Sequence, residues 1–203
     1  MKKLLLSVIA IAAITISAFS QEGYAVGSPV KDFKLKNIDG NMVSLADFSN
    51  AKGFIVVFTC NHCPYAKAYE NRIIDLDKKY ASLGYPVIAI NPNDAGQYPE
   101  DNYENMQARA NEKGFTFPYL LDETQEVAHQ FGAVRTPHVF VVQKQKGKLV
   151  VKYIGAIDDN WEDASDAKEK YVESAVDALL AGKQVATTST KAIGCGIKWR
   201  PKG

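Results

Sequence analysis

A strand-length apolar run that ends in two cysteines three residues apart is the strongest constraint in this sequence. Phe54-Ile55-Val56-Val57-Phe58 reads as a buried strand, and Thr59-Cys60-Asn61-His62-Cys63-Pro64 follows at once. Apolar residues then recur at Tyr65, Tyr69, Ile73, Leu76, Tyr80 and Leu83. That spacing fits one face of a helix and predicts one from about Cys63 to Leu83. Pro64 is tolerated because it falls in the first turn, where its missing N–H is not needed. The cysteines therefore sit where a strand ends and a helix begins. Unpaired backbone N–H groups and the positive end of the helix dipole favour an anion there. A thiolate is such an anion, and it is the reactive form of cysteine.

With Cys63 three residues beyond Cys60, the two sulfurs can reach disulfide distance. A protonated His62 would stabilise a Cys60 thiolate further, and stabilising the reduced form makes a disulfide more oxidising. Two other uses of the pair compete. Half a zinc site needs two more ligands, usually a second CxxC or an HxxxH. The chain has three Cys and three His and no second pair. A purely structural bridge rarely sits at a strand-to-helix junction with a histidine inside it. Redox chemistry is the expectation.

The compartment follows from the first 20 residues. Lys2-Lys3 form a basic start, Leu4 to Ile16 is nearly all apolar, and Ala18-Phe19-Ser20 ends in small residues before Gln21. This pattern predicts a cleavable secretory signal over residues 1–20, hence a periplasmic or secreted protein. The apolar run is short for a membrane span, so no stable membrane insertion is expected once it is removed. Without it, 22 basic side chains face 23 acidic ones, a net charge of −1. No basic surplus points to nucleic acid. Export also places the cysteines where disulfides persist. Three is an odd number, so at least one cysteine is free or pairs outside the chain.

The remaining 183 residues, 21–203, suit one domain with a good core. Asp32 to Lys36 and Met42 to Leu45 alternate around an Asp39-Gly40 turn, a hairpin signal. Val87-Ile88-Ala89-Ile90 is a second short apolar strand, which makes strand–helix–strand a βαβ unit with parallel strands. Pro99-Glu100-Asp101 starts another helix that Gly114 ends. A short helix through Val127, Ala128 and Phe131 closes at Gly132. Val139–Val142 and Leu149–Ile154 form an antiparallel pair, and a last helix is expected from about Ala164 to Leu180. The domain is assigned to residues 21–182 and a tail containing Cys195 to residues 183–203.

This order, with Thr136-Pro137 entering the second hairpin, resembles the thioredoxin fold. The opening hairpin and the insertion before Thr136 are similar to its redoxin branch, which includes the AhpC/TSA and TlpA-like proteins. Cys-Asn-His-Cys-Pro-Tyr (60–65), Ala-Ile-Asn-Pro-Asn-Asp (89–94), Tyr-Pro-Glu-Asp (98–101), Phe-Pro-Tyr-Leu (117–120) and Gly-Cys-Gly-Ile-Lys-Trp (194–199) look like an exported bacterial group within it. The resemblance implies an α/β three-layer fold, a mixed central sheet flanked by helices. It implies a cis-proline at Pro137 facing the cysteine pair, with Thr136 offering its backbone to a substrate peptide. The acid that thioredoxins bury before the first cysteine has no counterpart in Phe54 to Phe58. Where the similar cytochrome-maturation reductases place a glutamate three residues after the second cysteine, this chain has Ala66, and Glu70, one turn further along the predicted helix, is the weak substitute.

The expected mechanism is thiol–disulfide exchange without a cofactor. Cys60, exposed and of low pKa, attacks a partner protein's disulfide, and the more buried Cys63 resolves the mixed disulfide. A Cys60–Cys63 disulfide is the oxidised state, and His62 would raise its potential from about −270 mV toward about −180 mV. An antioxidant role and cell redox homeostasis belong to this reading. The first alternative is a Cu(I) metallochaperone, with Cys60, Cys63 and His138 as soft ligands. The second is a thiol peroxidase, with Arg135 beside the reactive cysteine. His129 reads as a surface or half-buried residue. Cys195, between two glycines, is either a third redox thiol, able to pair with Cys60 or Cys63 or with another chain, or a free cysteine packed beside Trp199.

Overall fold

The computed structural model describes residues 23–201, so the leader expected over residues 1–20 lies outside them. Ten strands and four α-helices follow in chain order: β1 Pro29–Val30, β2 Lys34–Asn37, β3 Met42–Ser44, β4 Gly53–Phe58, α1 Pro64–Tyr80, β5 Val87–Asn91, α2 Tyr103–Lys113, β6 Tyr119–Leu121, α3 Glu126–Phe131, β7 Arg135–Thr136, β8 His138–Gln145, β9 Lys148–Gly155, α4 Tyr171–Leu180 and β10 Cys195–Gly196. Eight strands form one sheet in the order β1-β9-β8-β4-β5-β6-β2-β3. β4, β5 and β6 run parallel, while β8 lies antiparallel to β4. This is the expected thioredoxin-like mixed sheet.

Alternation along the central strands builds two cores. Ile55, Val57, Val87, Ala89, Val139 and Val141 face α1, α2 and α4 through Tyr69, Ile73, Met106 and Val176. Val56, Phe58, Ile88, Ile90, Phe140 and Val142 face Val127 and Phe131 of α3 on the other side. Because both faces are covered, β4 is buried at all six positions and reads as an unbroken apolar run. Each such side chain contributes about 1.5–3 kcal/mol of transfer free energy. Among the described residues, no helix is long and apolar enough to cross a membrane.

Three boundaries differ from the sequence expectation. α1 stops at Tyr80 and finishes as a 3₁₀ turn over Ala81–Leu83, with Gly84 left-handed behind it. Pro99–Asp101 is a separate 3₁₀ turn, and α2 starts afresh at Tyr103 behind the Asn102 cap, whose side chain accepts from the Asn105 N–H. α4 starts at Tyr171, not Ala164. Ahead of it, Asp163 caps a lone turn over Ala164–Asp166, Ala167 is extended, and the Asp159 N–H donates to the Glu169 carbonyl. Those local bonds compete with helix there.

Residues 183–201 run back across the domain. Thr190 bonds the Tyr153 hydroxyl and the Ala156 N–H, and Ile197 is 6% exposed within the α3-side core.

Candidate functional site

β4 delivers the chain to the site, and α1 carries it away. The Thr59 N–H still donates to the Ile90 carbonyl, at 2.9 Å. Cys63 is the N-cap residue of α1 in an extended conformation, and Pro64 opens the first turn. Between them the Cys60–Cys63 loop is fixed by an acid from a distant segment. Asp101 is 0% exposed. Its Oδ1 accepts from the Asn61 N–H at 2.6 Å and the His62 N–H at 3.2 Å. Its Oδ2 lies 2.5 Å from His62 Nδ1 and accepts from Asn93 Nδ2 at 2.8 Å. Burying a carboxylate is costly unless its lone pairs are filled, and here four contacts fill them. Asn61 is held in turn by the Tyr119 hydroxyl and the Glu100 carbonyl, and the His62 ring stacks on Tyr98 at 4.7 Å.

β7 closes the site from the opposite side. The Thr136–Pro137 peptide is cis. The Thr136 hydroxyl lies 3.1 Å from the Cys60 sulfur, and the Thr136 carbonyl 3.3 Å from the Cys63 sulfur. β10 pairs antiparallel with β7, with Cys195 opposite Thr136 and Gly196 opposite Arg135. Six residues singled out in the sequence meet at one spot in the fold: Cys60, His62, Cys63, Thr136, Pro137 and Cys195.

The disulfide is not the expected one. Cys63 is bonded to Cys195, across a sequence separation of 132 residues and a Cα–Cα distance of 6.1 Å, and Cys60 is free. The reason is the strand pairing, which sets Cys195 against the head of α1 while the Cys60 sulfur turns to the Thr136 hydroxyl. Nor is Cys60 an exposed thiol of low pKa. It is 2% exposed, and burial, reinforced by the Asp101 charge, pushes its thiol up to about 11. The Thr136 hydroxyl and two backbone N–H groups oppose that shift without reversing it.

The copper set is not assembled. His138 pairs with Phe58 across β8 and β4, and its ring lies tilted against Phe140 at 4.7 Å, so it belongs to the α3-side core. Its Nδ1 accepts from the Val134 N–H, and burial depresses its pKa to about 4. Side chains alternate across a strand, which puts His138 on the opposite face from α1. Among the described residues, the group that gathers donor atoms within 4.8 Å of one another is Cys60, His62 and Asp101. Asp101 and His62 there already engage each other.

Two other expectations change. Glu70 binds Arg109 through two contacts of 2.7 Å and so is no proton acceptor for the cysteines. Arg135 donates to the Gly194 carbonyl at 2.9 Å and holds the tail. His129 stacks on Trp199 at 4.2 Å. Asp101, Asn61, Asn93 and Tyr98 are the site residues that sequence reasoning missed. Their signal was the Cys60–Tyr65, Ala89–Asp94 and Tyr98–Asp101 stretches, visible as motifs and without assigned partners.

Residues 26–152 match the sequence profile described as the AhpC/TSA family. The chain is 29% identical over 128 residues to thiol-disulfide oxidoreductase ResA of Geobacillus thermodenitrificans, covering 62% of this chain and 67% of that one. It spans about two thirds of the length of the curated relatives it matches. A crystal structure of an uncharacterized conserved protein from Geobacillus kaustophilus shares 39% identity with a TM-score of 0.81, over 88% of this chain and 94% of that one. The thioredoxin domain of a thiol-disulfide oxidoreductase from Bacteroides vulgatus, 21% identical with a TM-score of 0.52 over 64% of this chain and 88% of that one, shares the fold.

Proposed function

The chain belongs to the AhpC/TSA family, and from that premise we propose that it is an exported thiol–disulfide oxidoreductase that exchanges disulfides with partner proteins. The oxidoreductase reading has support from relatives named thiol-disulfide oxidoreductase. One observation carries it further for this chain: a CxxC pair at a strand-to-helix junction faces a cis-proline, with one of its sulfurs already in a disulfide. Export rests on the basic, apolar and small-residue pattern of residues 1–20.

Cys63 caps α1, where the helix N-terminus stabilises a thiolate, so Cys63 is a good leaving group in exchange. Cys60 is the second thiol of the pair, held at the Thr136 hydroxyl. Asp101 and His62 position the loop between them, with their donor atoms within 4.8 Å of the Cys60 sulfur. No cofactor is called for, since the electrons reside in the sulfurs.

The test is a titration of the mature protein against glutathione redox buffers, with disulfides mapped by mass spectrometry at each point. A single two-electron transition that consumes the Cys63 thiol is expected, and Cys63→Ser should abolish it. A protein whose cysteines do not change state across the buffer range is not a thiol–disulfide oxidoreductase. Cell fractionation, with the signal absent from the mature species, checks export.

A further inference from the structure

The Cys63–Cys195 bond raises a problem of access. Cys63 is 0% and Cys60 2% exposed, while Cys195 is half-buried. Of the three cysteines, Cys195 is the one solvent reaches appreciably, and it belongs to neither half of the CxxC pair. We propose that Cys195 is a third catalytic thiol, the sulfur at which a partner's thiolate enters the oxidised site, carried on a strand whose release from β7 then opens Cys60. This inference rests on the thiol-exchange reading above.

The tail is built to hold this position. Gly194 lies flat on the cis-proline turn, where an added Cβ would collide with the Thr136 carbonyl, so no larger residue fits in front of Cys195. Arg135 grips the Gly194 carbonyl. Past Cys195, the Ile197 N–H donates to the Val134 carbonyl at 3.2 Å and the Ile197 side chain enters the α3-side core. The Lys198 N–H donates to Asn93 Oδ1, its carbonyl accepts from the Asp94 N–H, and its ammonium lies 4.8 Å from the centre of the Tyr98 ring, the ring that stacks on His62. The segment is therefore clamped on both sides of its cysteine and pressed onto the loop that carries Cys60. It also fills the backbone edge of β7, so nothing else pairs with Thr136 while it is seated.

The exchange balances without any outside oxidant. One thiolate of a partner dithiol attacks the Cys195 sulfur. The Cys63–Cys195 bond breaks, and Cys63 leaves as a thiolate at the head of α1 and takes a proton. The partner's second thiolate then attacks the partner sulfur of the mixed disulfide, and Cys195 departs as a thiolate and is protonated from solvent. Two electrons and two protons have passed from partner to chain, and the partner keeps the disulfide. Without the covalent bond, β10 is held to β7 by its noncovalent contacts alone. Cys195 packs against the buried cluster of Cys60, Cys63 and Ala66, so its departure uncovers part of that cluster.

The test uses the full mature chain in its oxidised form. About one equivalent of reduced glutathione is added, exchange is quenched with acid, and the adduct is located by peptide mapping. Glutathione on Cys195, with Cys63 and Cys60 as free thiols, is the expected result. Glutathione on Cys63, with Cys195 free, overturns the proposal while leaving the oxidoreductase reading intact. No adduct on any cysteine, together with a bond that glutathione buffers never reduce, overturns both. Iodoacetamide labelling gives the second readout. Reducing the bond should speed labelling of Cys60 by about tenfold or more. Cys195→Ser, kept reduced so that Cys60 and Cys63 stay thiols, should show the same rise, and so should oxidised Gly194→Val, which unseats the strand without removing a sulfur. Cys60 labelling that stays constant through all three overturns the gating half of the proposal.

Discussion

His138 shows how one side chain's direction decides its role. Next to Pro137 in sequence, it invited a place among the ligands, and strand alternation turned it into a core residue instead. Its depressed pKa, about 4 against an ordinary 6.5, has burial as first cause and the Arg135 charge as second. As pH falls, the unfolded chain takes the proton first. The stability His138 contributes is therefore complete above about pH 6.5 and is lost as pH falls to about 4, on the order of 3 kcal/mol. Urea unfolding at pH 7 and pH 4.5 should show a smaller acid loss for His138→Phe than for the wild type. Equal losses in the two proteins would refute the assignment. At this scale the sequence was legible where chemistry and position coincide, as for Cys60, Cys63 and Pro137. It was not legible for Asp101, which lies about 40 residues from the loop it fixes and carries no local mark of being buried.

Among the elements, the strand–helix–strand unit could be read directly because β4 and β5 are buried on both faces and α1 on one. What periodicity could not reveal was how the polar positions of α1 are used. Glu70 lies on that helix within reach of the cysteines by sequence, yet the α1–α2 packing commits it to Arg109. Removing Arg109 leaves a carboxylate that is 6% exposed with Lys113 at 3.9 Å as its remaining cation. Arg109→Ala should therefore cost about 2–3 kcal/mol in denaturant unfolding, below the figure for a fully buried pair because Arg109 is partly solvated. Thiol exchange should continue at the wild-type rate per folded molecule. An Arg109→Ala protein of full stability and lost exchange would return Glu70 to the active site. β10 escaped sequence reading altogether. Two residues, Cys195 and Gly196, cannot show a period, and their strand exists because β7 offers an edge.

For the whole molecule, the disulfide ties the head of the central helix to the end of the described chain. Closing a loop of 132 residues removes conformational freedom from the unfolded state, worth about 4–5 kcal/mol on the chain-entropy account. Cys195→Ser should therefore unfold at correspondingly lower denaturant than the oxidised wild type, with little difference between the two once both are reduced. A gap that persists under reduction would assign the effect to packing of the tail instead. The same separation has a consequence in time. A ribosome adding 5–20 residues per second completes Cys195 between about 7 and about 26 s after Cys63. Through that interval Cys60, three positions away, is the neighbour Cys63 has. A chain oxidised within that interval would have the wrong partner nearest, and would reach the Cys63–Cys195 bond only by thiol exchange after Cys195 is added.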